Sequence, residues 1–207
     1  MKRIILICAF ILIATSSAFA WGREGHEVIA RIAENNLKPG VKKKIESYLG
    51  HSIVYYAKWM DEYRYTPEYN FTDAWHSCNV DEQLNYVPRS KGDFIHGLDY
   101  ATENLTDYLH LSDSAVAVNI KIIVHLIGDM HCPAHIKYQG RDASFKVKFG
   151  GDYIKPRVDA RIHDVWDYYA IQSCRIFSST EYAEELDRMS SREKKAIVKG
   201  TYLDWLG

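Results

Sequence analysis

The most apolar stretch after the first twenty residues covers positions 115–127, and ionisable side chains stand at its end. A run of this length and composition is typical of a buried helix. His125 and Asp129 are four residues apart, which places them on one face of such a helix, one turn from each other. Pro133 ends the helix and turns His135 back toward the same region. Unpaired charge in a core is costly. The stretch therefore fits either a metal site or a buried, hydrogen-bonded histidine with an aspartate that caps the helix.

The first twenty residues predict a cleavable secretory signal. They combine a positive start, an apolar segment and a small-residue cleavage site: Lys2-Arg3, residues 4–14 and Ala18-Phe19-Ala20. The apolar segment is too short to span a membrane. We therefore expect a domain of residues 21–207 that is secreted or periplasmic and has no membrane attachment after cleavage.

The charge balance excludes a strongly basic nucleic-acid-binding surface. Residues 21–207 contain 24 basic and 27 acidic residues, a formal charge of −3. A polyanionic substrate would therefore need local positive charge, for which bound metal is one source. Three cysteines, Cys78, Cys132 and Cys174, fit no zinc-finger spacing and allow at most one disulfide.

Periodicity predicts a mainly α-helical single domain with no repeat or linker. Helices are expected over residues 24–37, 39–49, 55–61, 94–111, 159–176, 180–189 and 191–199, and a central helix is expected from the Ser112-Asp113 cap until Pro133 stops it. Ser112 is a good cap for the central helix, and Gly50 closes the second one. Residues 64–75 and 79–93 are expected to be loops. Residues 144–149 alternate strictly and form the one strand-like stretch, consistent with a small β-hairpin.

Further His and Asp residues stand where a plain core does not explain them. His163 and Asp167 repeat the four-residue spacing beside a tryptophan, while His26, His76 and Asp61 lie near helix or loop ends. Each alone has a plainer interpretation as a core or surface residue, and His163 with Asp167 could be a simple hydrogen-bonded pair. Five histidines and three aspartates without a thiolate favour catalytic rather than structural zinc.

The order of these motifs resembles the S1/P1 nuclease family, which shares its mainly helical bundle with zinc-dependent phospholipase C. The resemblance is carried by Trp21-Gly22-x-x-Gly25-His26, Trp59-x-Asp61-x-x-Arg64, Trp75-His76, His125-x3-Asp129-x5-His135 and His163-x3-Asp167. These motifs extend over about four-fifths of residues 21–207, and they are specific only in combination.

The resemblance implies three zinc ions held by nine protein ligands. One zinc would lie on Asp61, His76, His125 and Asp129, a second on Asp129, His26 and Trp21, and a third on His135, His163 and Asp167. Trp21 would coordinate through its free α-amine and its carbonyl oxygen, so cleavage after Ala20 would be needed to complete the site. Asp61 would also orient the attacking water. Arg64 would stabilise charge in the transition state, although a solvated arginine at a helix end is the plainer interpretation.

The implied activity is endonucleolytic hydrolysis of single-stranded RNA and DNA to 5′-phosphorylated products, with 3′-nucleotidase activity. The partner is therefore a nucleic acid or nucleotide substrate, and no obligate protein partner is implied. Two alternatives stay open. One is a phospholipase C-like or other phosphodiesterase, and the other is a secreted zinc-binding protein without catalysis.

Several positions depart from the family pattern. Ser77 replaces an aromatic residue, Cys132 stands where Gln is frequent, and Asp152 follows Gly150-Gly151 where Asn is usual, which makes Asp152 the expected substrate contact. The chain ends 40 residues after Asp167, a short C-terminal tail for the family. We expect these changes to leave the metal ligands intact and to affect substrate contacts. The remaining histidines, His51, His96, His110 and His131, are expected at the surface or outside the ligand shell.

Overall fold

The computed structural model describes residues 22–138, 145–151, 158–173 and 177–206 and confirms a mainly α-helical single domain. The helices are α1 Arg23–Asn36, α2 Pro39–Leu49, α3 Trp59–Tyr63, α4 Phe94–Thr106, α5 Asp113–Met130, α6 Ile162–Asp164, α7 Ala170–Ser173, α8 Ser179–Leu186 and α9 Ser191–Ile197. Short 3₁₀ turns cover Ile53–Tyr56, Asn70–His76, Tyr108–His110, Pro133–His135 and Asp204–Leu206. The predicted signal segment, Trp21, Asp152 and Cys174 lie outside the described residues.

The helix ends follow the predicted capping residues. Pro39 occupies the first turn of α2, and Gly50 ends that helix in the left-handed conformation at φ 71°. Ser112 caps α5 by accepting a hydrogen bond from the Ala115 amide at 3.2 Å. Asp93 caps α4 in the same way, accepting from the His96 amide at 3.1 Å.

The predicted helix over residues 55–61 is wrong in detail. The chain forms the 3₁₀ turn Ile53–Tyr56 and then the separate helix α3. Ser52 caps the turn by accepting from the Val54 amide at 3.1 Å. Lys58 then leaves the helical region, with φ −102° and ψ 8°, so the backbone restarts at Trp59. A short turn before α3 therefore sets the position of Asp61.

Helix α5 forms the shared wall of two core clusters. Its residues Ile122 and Leu126 pack with α3 and α4, in a cluster that includes Trp59, Met60, Trp75, Phe94, Ile95 and Leu98. Its residues Val116 and Ile120 pack with α1, α2 and the first 3₁₀ turn, against Ala30, Leu49, Ile53 and Val54. Burial on both sides makes α5 a rigid support for whatever its last two turns carry. Among the described residues, no helix is long and apolar enough to cross a membrane.

A small three-stranded sheet was not predicted. Strand β1, Cys78–Val80, lies between β2, Tyr86–Val87, which runs antiparallel, and β3, Ile136–Tyr138, which runs parallel. Cys78 is paired with Ile136. Because β1 starts just after His76 and β3 starts just after His135, this pairing fixes the two histidine-bearing turns relative to each other.

The predicted β-hairpin is present, but the helix expected after it starts later. Strands β4, Lys146–Phe149, and β5, Val158–Arg161, are antiparallel. Residues 158–161 were expected partly in a helix, whereas they pair with β4. The helix that follows widens into a π turn over Val165–Tyr169, centred on Asp167. Such π turns are frequent at functional sites.

The contact between α4 and α5 gives a test of the fold. A methyl group at Gly97 would lie 2.5 Å from Leu126 Cδ1 and 2.8 Å from Trp75 Cε3. We expect Gly97→Ala to lower the free energy of unfolding by about 1–3 kcal/mol through overpacking. Urea denaturation followed by circular dichroism measures this change.

Gly40 provides a matched control, because a methyl group there meets no atom within 4 Å. Gly40→Ala should leave the free energy of unfolding unchanged or raise it by up to about 1 kcal/mol. Equal destabilisation by both substitutions would contradict the packing described for α4 and α5.

Candidate metal centre

The last two turns of α5 bury His125 and Asp129 completely, at 0% exposure each. His125 Nδ1 donates a hydrogen bond to the Ala57 carbonyl oxygen at 2.9 Å. This bond fixes the ring so that Nε2 lies 3.3 Å from Asp129 Oδ2. A backbone acceptor that orients an imidazole is the usual outer support of a metal-binding histidine.

Helix α3 and the turn before β1 bring Asp61 and His76 to the same place. His76 Nδ1 lies 3.0 Å from Asp129 Oδ2 and 3.0 Å from His125 Nε2. Asp61 Oδ1 lies 3.6 Å from His76 Nδ1 and 3.8 Å from His125 Nε2. Asp61, His76 and His125 each offer a ligand atom within 4.8 Å of the others. The first predicted ligand set is therefore brought together.

Helix α1 adds His26 from the opposite side. Its ring stacks on His125 with centroids 4.3 Å apart, and its Nε2 lies 3.4 Å from Asp129 Oδ1. Gly128 makes this approach possible, since a methyl group there would collide with His26 Nδ1. His26, His125 and Asp129 form a second group with ligand atoms within 4.8 Å of one another.

The residue before α1 also contacts the part of the site around Asp167. The Gly22 amide donates a hydrogen bond to the Asp167 carbonyl oxygen. Trp21 itself is outside the described residues, but its neighbour in sequence is held against a predicted ligand. The predicted role of Trp21 stays a prediction.

A third group forms around Asp167 in the π turn. His135 Nε2 lies 3.5 Å from Asp167 Oδ2, and His163 Nε2 lies 2.7 Å from the same oxygen. His135 Nδ1 lies 3.3 Å from Asp129 Oδ1, which links this group to the other two. His163 is the most open of these side chains, at 28% exposure.

Sequence reasoning missed the part that Cys132 takes in this third group. The change at this position lies next to a predicted ligand, because Cys132 Sγ lies 2.9 Å from Asp167 Oδ1. Cys132, His135 and Asp167 offer ligand atoms within 4.8 Å of one another, and all three are buried. A metal-ligating residue type three positions before His135 was the available signal. Cys132 and Cys78 are both free thiols.

The donor set of this cluster fits bound metal. Among the described residues, seven buried side-chain atoms of the predicted ligands have no hydrogen-bond partner: both ring nitrogens of His26, both oxygens of Asp61, His76 Nε2, Asp129 Oδ1 and His135 Nδ1. Buried polar atoms are ordinarily satisfied, so this concentration in one place fits a bound cation. Imidazole and carboxylate donors are those of catalytic zinc sites.

Burial and mutual charge push the pKa values in the cluster apart. Burial, with the nearby His125, lowers the pKa of His26 to about 4, and burial lowers the pKa of His76 to about 3. Both rings are therefore neutral at neutral pH and ready to coordinate. Burial lowers the pKa of His135, but the Asp129 and Asp167 carboxylates outweigh it and bring the value to about 9.

The pKa values of the two central carboxylates are also shifted in opposite directions. Burial raises the pKa of Asp61 to about 6, with Asp129 adding to the effect while His125 and Arg64 oppose it. Burial also disfavours the charged form of Asp129, but His125 and His135 hold its pKa well below the usual range. Asp129 is the stable anion of the site, whereas Asp61 is the carboxylate that is protonated more easily as the pH falls below neutral.

Arg64 is buried rather than solvated, at 8% exposure. Its Nη1 lies 3.7 Å from Asp61 Oδ1, and its Nε lies 3.7 Å from Asp73 Oδ1. The guanidinium carbon also lies 4.8 Å from the ring centre of Tyr65, which is 64% exposed. The guanidinium therefore bridges the metal-capable cluster and the surface.

Of the other positions that depart from the family pattern, Ser77 is the one that the structure describes. Ser77 is buried, and its hydroxyl accepts a hydrogen bond from Arg89 Nη1 at 2.9 Å. Asp152, the expected substrate contact, is outside the described residues. The four remaining histidines, His51, His96, His110 and His131, are exposed as predicted.

Comparison with known proteins gives one consistent result. The family model described as S1/P1 Nuclease matches residues 21–206. The chain is 28% identical to Nuclease S1 of Aspergillus oryzae over 184 residues, which cover 81% of the chain and 60% of that protein. It is 30% identical to Nuclease P1 of Penicillium citrinum over 169 residues, covering 73% of the chain and 58% of that protein. The chain is 24% identical to Endonuclease 2 of Arabidopsis thaliana over 233 residues, covering 95% of the chain and 77% of that protein. The chain thus spans less than two thirds of the length of these two fungal relatives.

The contact between Gly128 and His26 gives a test of the site. We expect Gly128→Ala to displace the His26 ring and to weaken zinc binding by about 10–100-fold. Zinc content after gel filtration, measured by atomic emission, should fall relative to the unsubstituted protein.

Gly97→Ala serves as the comparison, since it overpacks the core without touching a predicted ligand. That variant should keep its zinc although its fold is less stable. If Gly128→Ala also kept its full zinc content, the placement of His26 in the ligand shell would be wrong.

Proposed function

Because the chain belongs to the S1/P1 nuclease family, a family of phosphodiesterase hydrolases, we propose that it is a zinc-dependent endonuclease for single-stranded RNA and DNA. The products are 5′-phosphorylated nucleotides, and the same site acts as a 3′-nucleotidase. The observation that carries this proposal is the cluster of four buried histidines and three buried aspartates, in which seven donor atoms have no hydrogen-bond partner among the described residues.

Three zinc ions account for the three ligand groups. The residues that would hold them are Asp61, His76, His125 and Asp129 for one ion, His26, Asp129 and Trp21 for another, and His135, His163 and Asp167 for the last. Bound zinc supplies Lewis-acid chemistry, lowering the pKa of water and stabilising negative charge on phosphate oxygens. The hydrogen bond from Gly22 to Asp167 supports the position of Trp21 at the centre.

The chain's own residues position the reactants. One Asp61 oxygen accepts a hydrogen bond from the attacking water, which is consistent with both of its oxygens lacking a protein donor. The water oxygen bonds to phosphorus as the bond from phosphorus to the 3′ oxygen breaks, and the departing oxygen takes up a proton. Arg64 donates to the phosphate oxygens and stabilises the charge that builds up during attack.

Tyr65 supports a nucleic-acid substrate over a phospholipid. Its ring is largely exposed and lies beside the guanidinium that faces Asp61. Exposed aromatic rings stack on unpaired bases, and a neighbouring arginine adds to that interaction. A base splayed out of a single strand can reach this ring, whereas a base stacked in a duplex cannot.

The proposal includes export and processing. Cleavage after Ala20 frees the α-amine of Trp21, and the protein is secreted or periplasmic. In this proposal the first residue of the exported chain completes the centre, because the α-amine and carbonyl oxygen of Trp21 would join His26 and Asp129.

The activity is tested with purified protein on heat-denatured DNA, RNA and duplex DNA. We expect acid-soluble nucleotides from the single-stranded substrates, loss of activity after dialysis against a chelator, and recovery with zinc. Hydrolysis of phosphatidylcholine vesicles or of bis(p-nitrophenyl) phosphate without nuclease activity would favour another phosphodiesterase. Bound zinc with no hydrolysis of any substrate would favour a binding protein.

Arg64 separates metal binding from catalysis. Arg64→Ala should lower kcat on denatured DNA by about 10²–10³-fold with zinc content unchanged, while Asp61→Asn should lose both activity and zinc. Arg192→Ala removes an exposed arginine of α9 and should leave both unchanged. Full activity of Arg64→Ala would remove this residue from the mechanism.

A further inference from the structure

We propose that Cys132 is a fourth protein ligand at the His135–Asp167 site and coordinates its metal ion as a thiolate. The inference rests on the zinc centre proposed above and adds a residue to it. With Cys132 included, this metal ion would have four protein ligands: Cys132, His135, His163 and Asp167.

The geometry of the thiol points to coordination. Cys132 is fully buried, and its Sγ lies 2.9 Å from Asp167 Oδ1. Ligand atoms of Cys132, His135 and Asp167 all lie within 4.8 Å of one another. Ligand bonds of about 2.0–2.3 Å in a tetrahedral zinc site place neighbouring donor atoms about 3–4 Å apart. The separation of the thiol from Asp167 Oδ1 is just below that range, so Cys132 lies close to the position of a further donor.

The backbone fixes Cys132 relative to the other ligands. The Cys132 amide donates to the Asp129 carbonyl oxygen at 3.0 Å, and the His135 amide donates to the Cys132 carbonyl oxygen at 3.0 Å. The turn after α5 thus spaces Asp129, Cys132 and His135 three residues apart through consecutive hydrogen bonds. His135 Nε2 lies 3.5 Å from Asp167 Oδ2, while the buried His135 Nδ1 lies 3.3 Å from Asp129 Oδ1 and has no hydrogen-bond partner among the described residues. Both ring nitrogens that follow Cys132 in this turn therefore face the metal-capable cluster.

A plainer role for Cys132 is a neutral thiol that donates to Asp167. Burial and the Asp167 carboxylate raise the pKa of the thiol, which suits that role as long as no cation is near. A coordinating thiol loses its proton outright. Binding of a divalent ion would form the metal–sulfur bond and release one proton, which can leave past the partly exposed His163.

Coordination by Cys132 changes what this ion does. Four protein ligands complete a tetrahedral shell, which is typical of a structural zinc, whereas catalytic zinc keeps a position for water or substrate. The ion at Asp167 would then hold the π turn and the N-terminal segment in place. Hydrolysis would then depend on the ions held by the two ligand groups that share Asp129. A thiolate also favours zinc, cobalt or cadmium over harder ions such as magnesium.

Cobalt substitution tests the proposal directly, because cobalt(II) bound to a thiolate shows charge-transfer absorption in the near ultraviolet. The protein that begins at Trp21 is stripped of metal with a chelator and then loaded with cobalt(II). We expect visible d–d bands that report occupied sites, together with the thiolate charge-transfer band. The band should persist in Cys78→Ser and Cys174→Ser, and it should vanish in Cys132→Ser and Cys132→Gln.

The glutamine variant separates the two roles. The glutamine amide can still donate a hydrogen bond to Asp167 but cannot supply a thiolate. Weaker metal binding in this variant therefore fits either role of Cys132, whereas loss of the charge-transfer band identifies coordination. Visible cobalt bands without the charge-transfer band in the unsubstituted protein would overturn the role of Cys132 and leave the proposed centre standing. Absence of any bound cobalt would overturn both. Because this measurement needs no substitution at Cys132, poor folding of a variant cannot mask the result.

Discussion

The structure depends on one buried carboxylate. Asp129 is fully enclosed, and its two oxygens lie 3.0–3.4 Å from ring nitrogens of His26, His76, His125 and His135. An isolated buried charge of this kind would cost far more than a typical domain can offset. His125 and His135 compensate this charge in part, whereas burial keeps His26 and His76 neutral. Among the described residues, seven donor atoms of this cluster have no hydrogen-bond partner, and bound metal would explain them together.

The rest of the fold can be understood as support for that carboxylate. Two core clusters hold α5 from both sides, the β1–β3 pairing joins the His76 and His135 turns, and Gly128 lets α1 bring in His26. The predicted ligands thus come from segments spread between α1 and the π turn. If they bind metal together, no short segment can do so alone, which would tie metal binding to folding.

Much of this could be predicted from the sequence, because the strongest signals are local. The apolar run of α5, its Ser112 cap and the spacing of His125 and Asp129 follow from helix geometry and are confirmed. The short strands β1 to β3 could not be found, since their two to three residues carry no alternation and exist only through tertiary pairing. The π turn at Asp167 and the contact of Cys132 with that residue also depend on how distant segments pack. Residue types therefore indicated the candidate ligands, but not the neighbouring groups that shift their pKa values.

The zinc content of the processed protein tests the central claim most directly. A chain beginning at Trp21 should bind three zinc ions per molecule, measured by atomic emission after gel filtration. The same chain with a few residues added before Trp21 should bind one fewer and lose activity, because its α-amine is blocked. Three zinc ions and full activity in the extended chain would contradict the role of Trp21. A processed chain with no tightly bound zinc would contradict the centre built around Asp129.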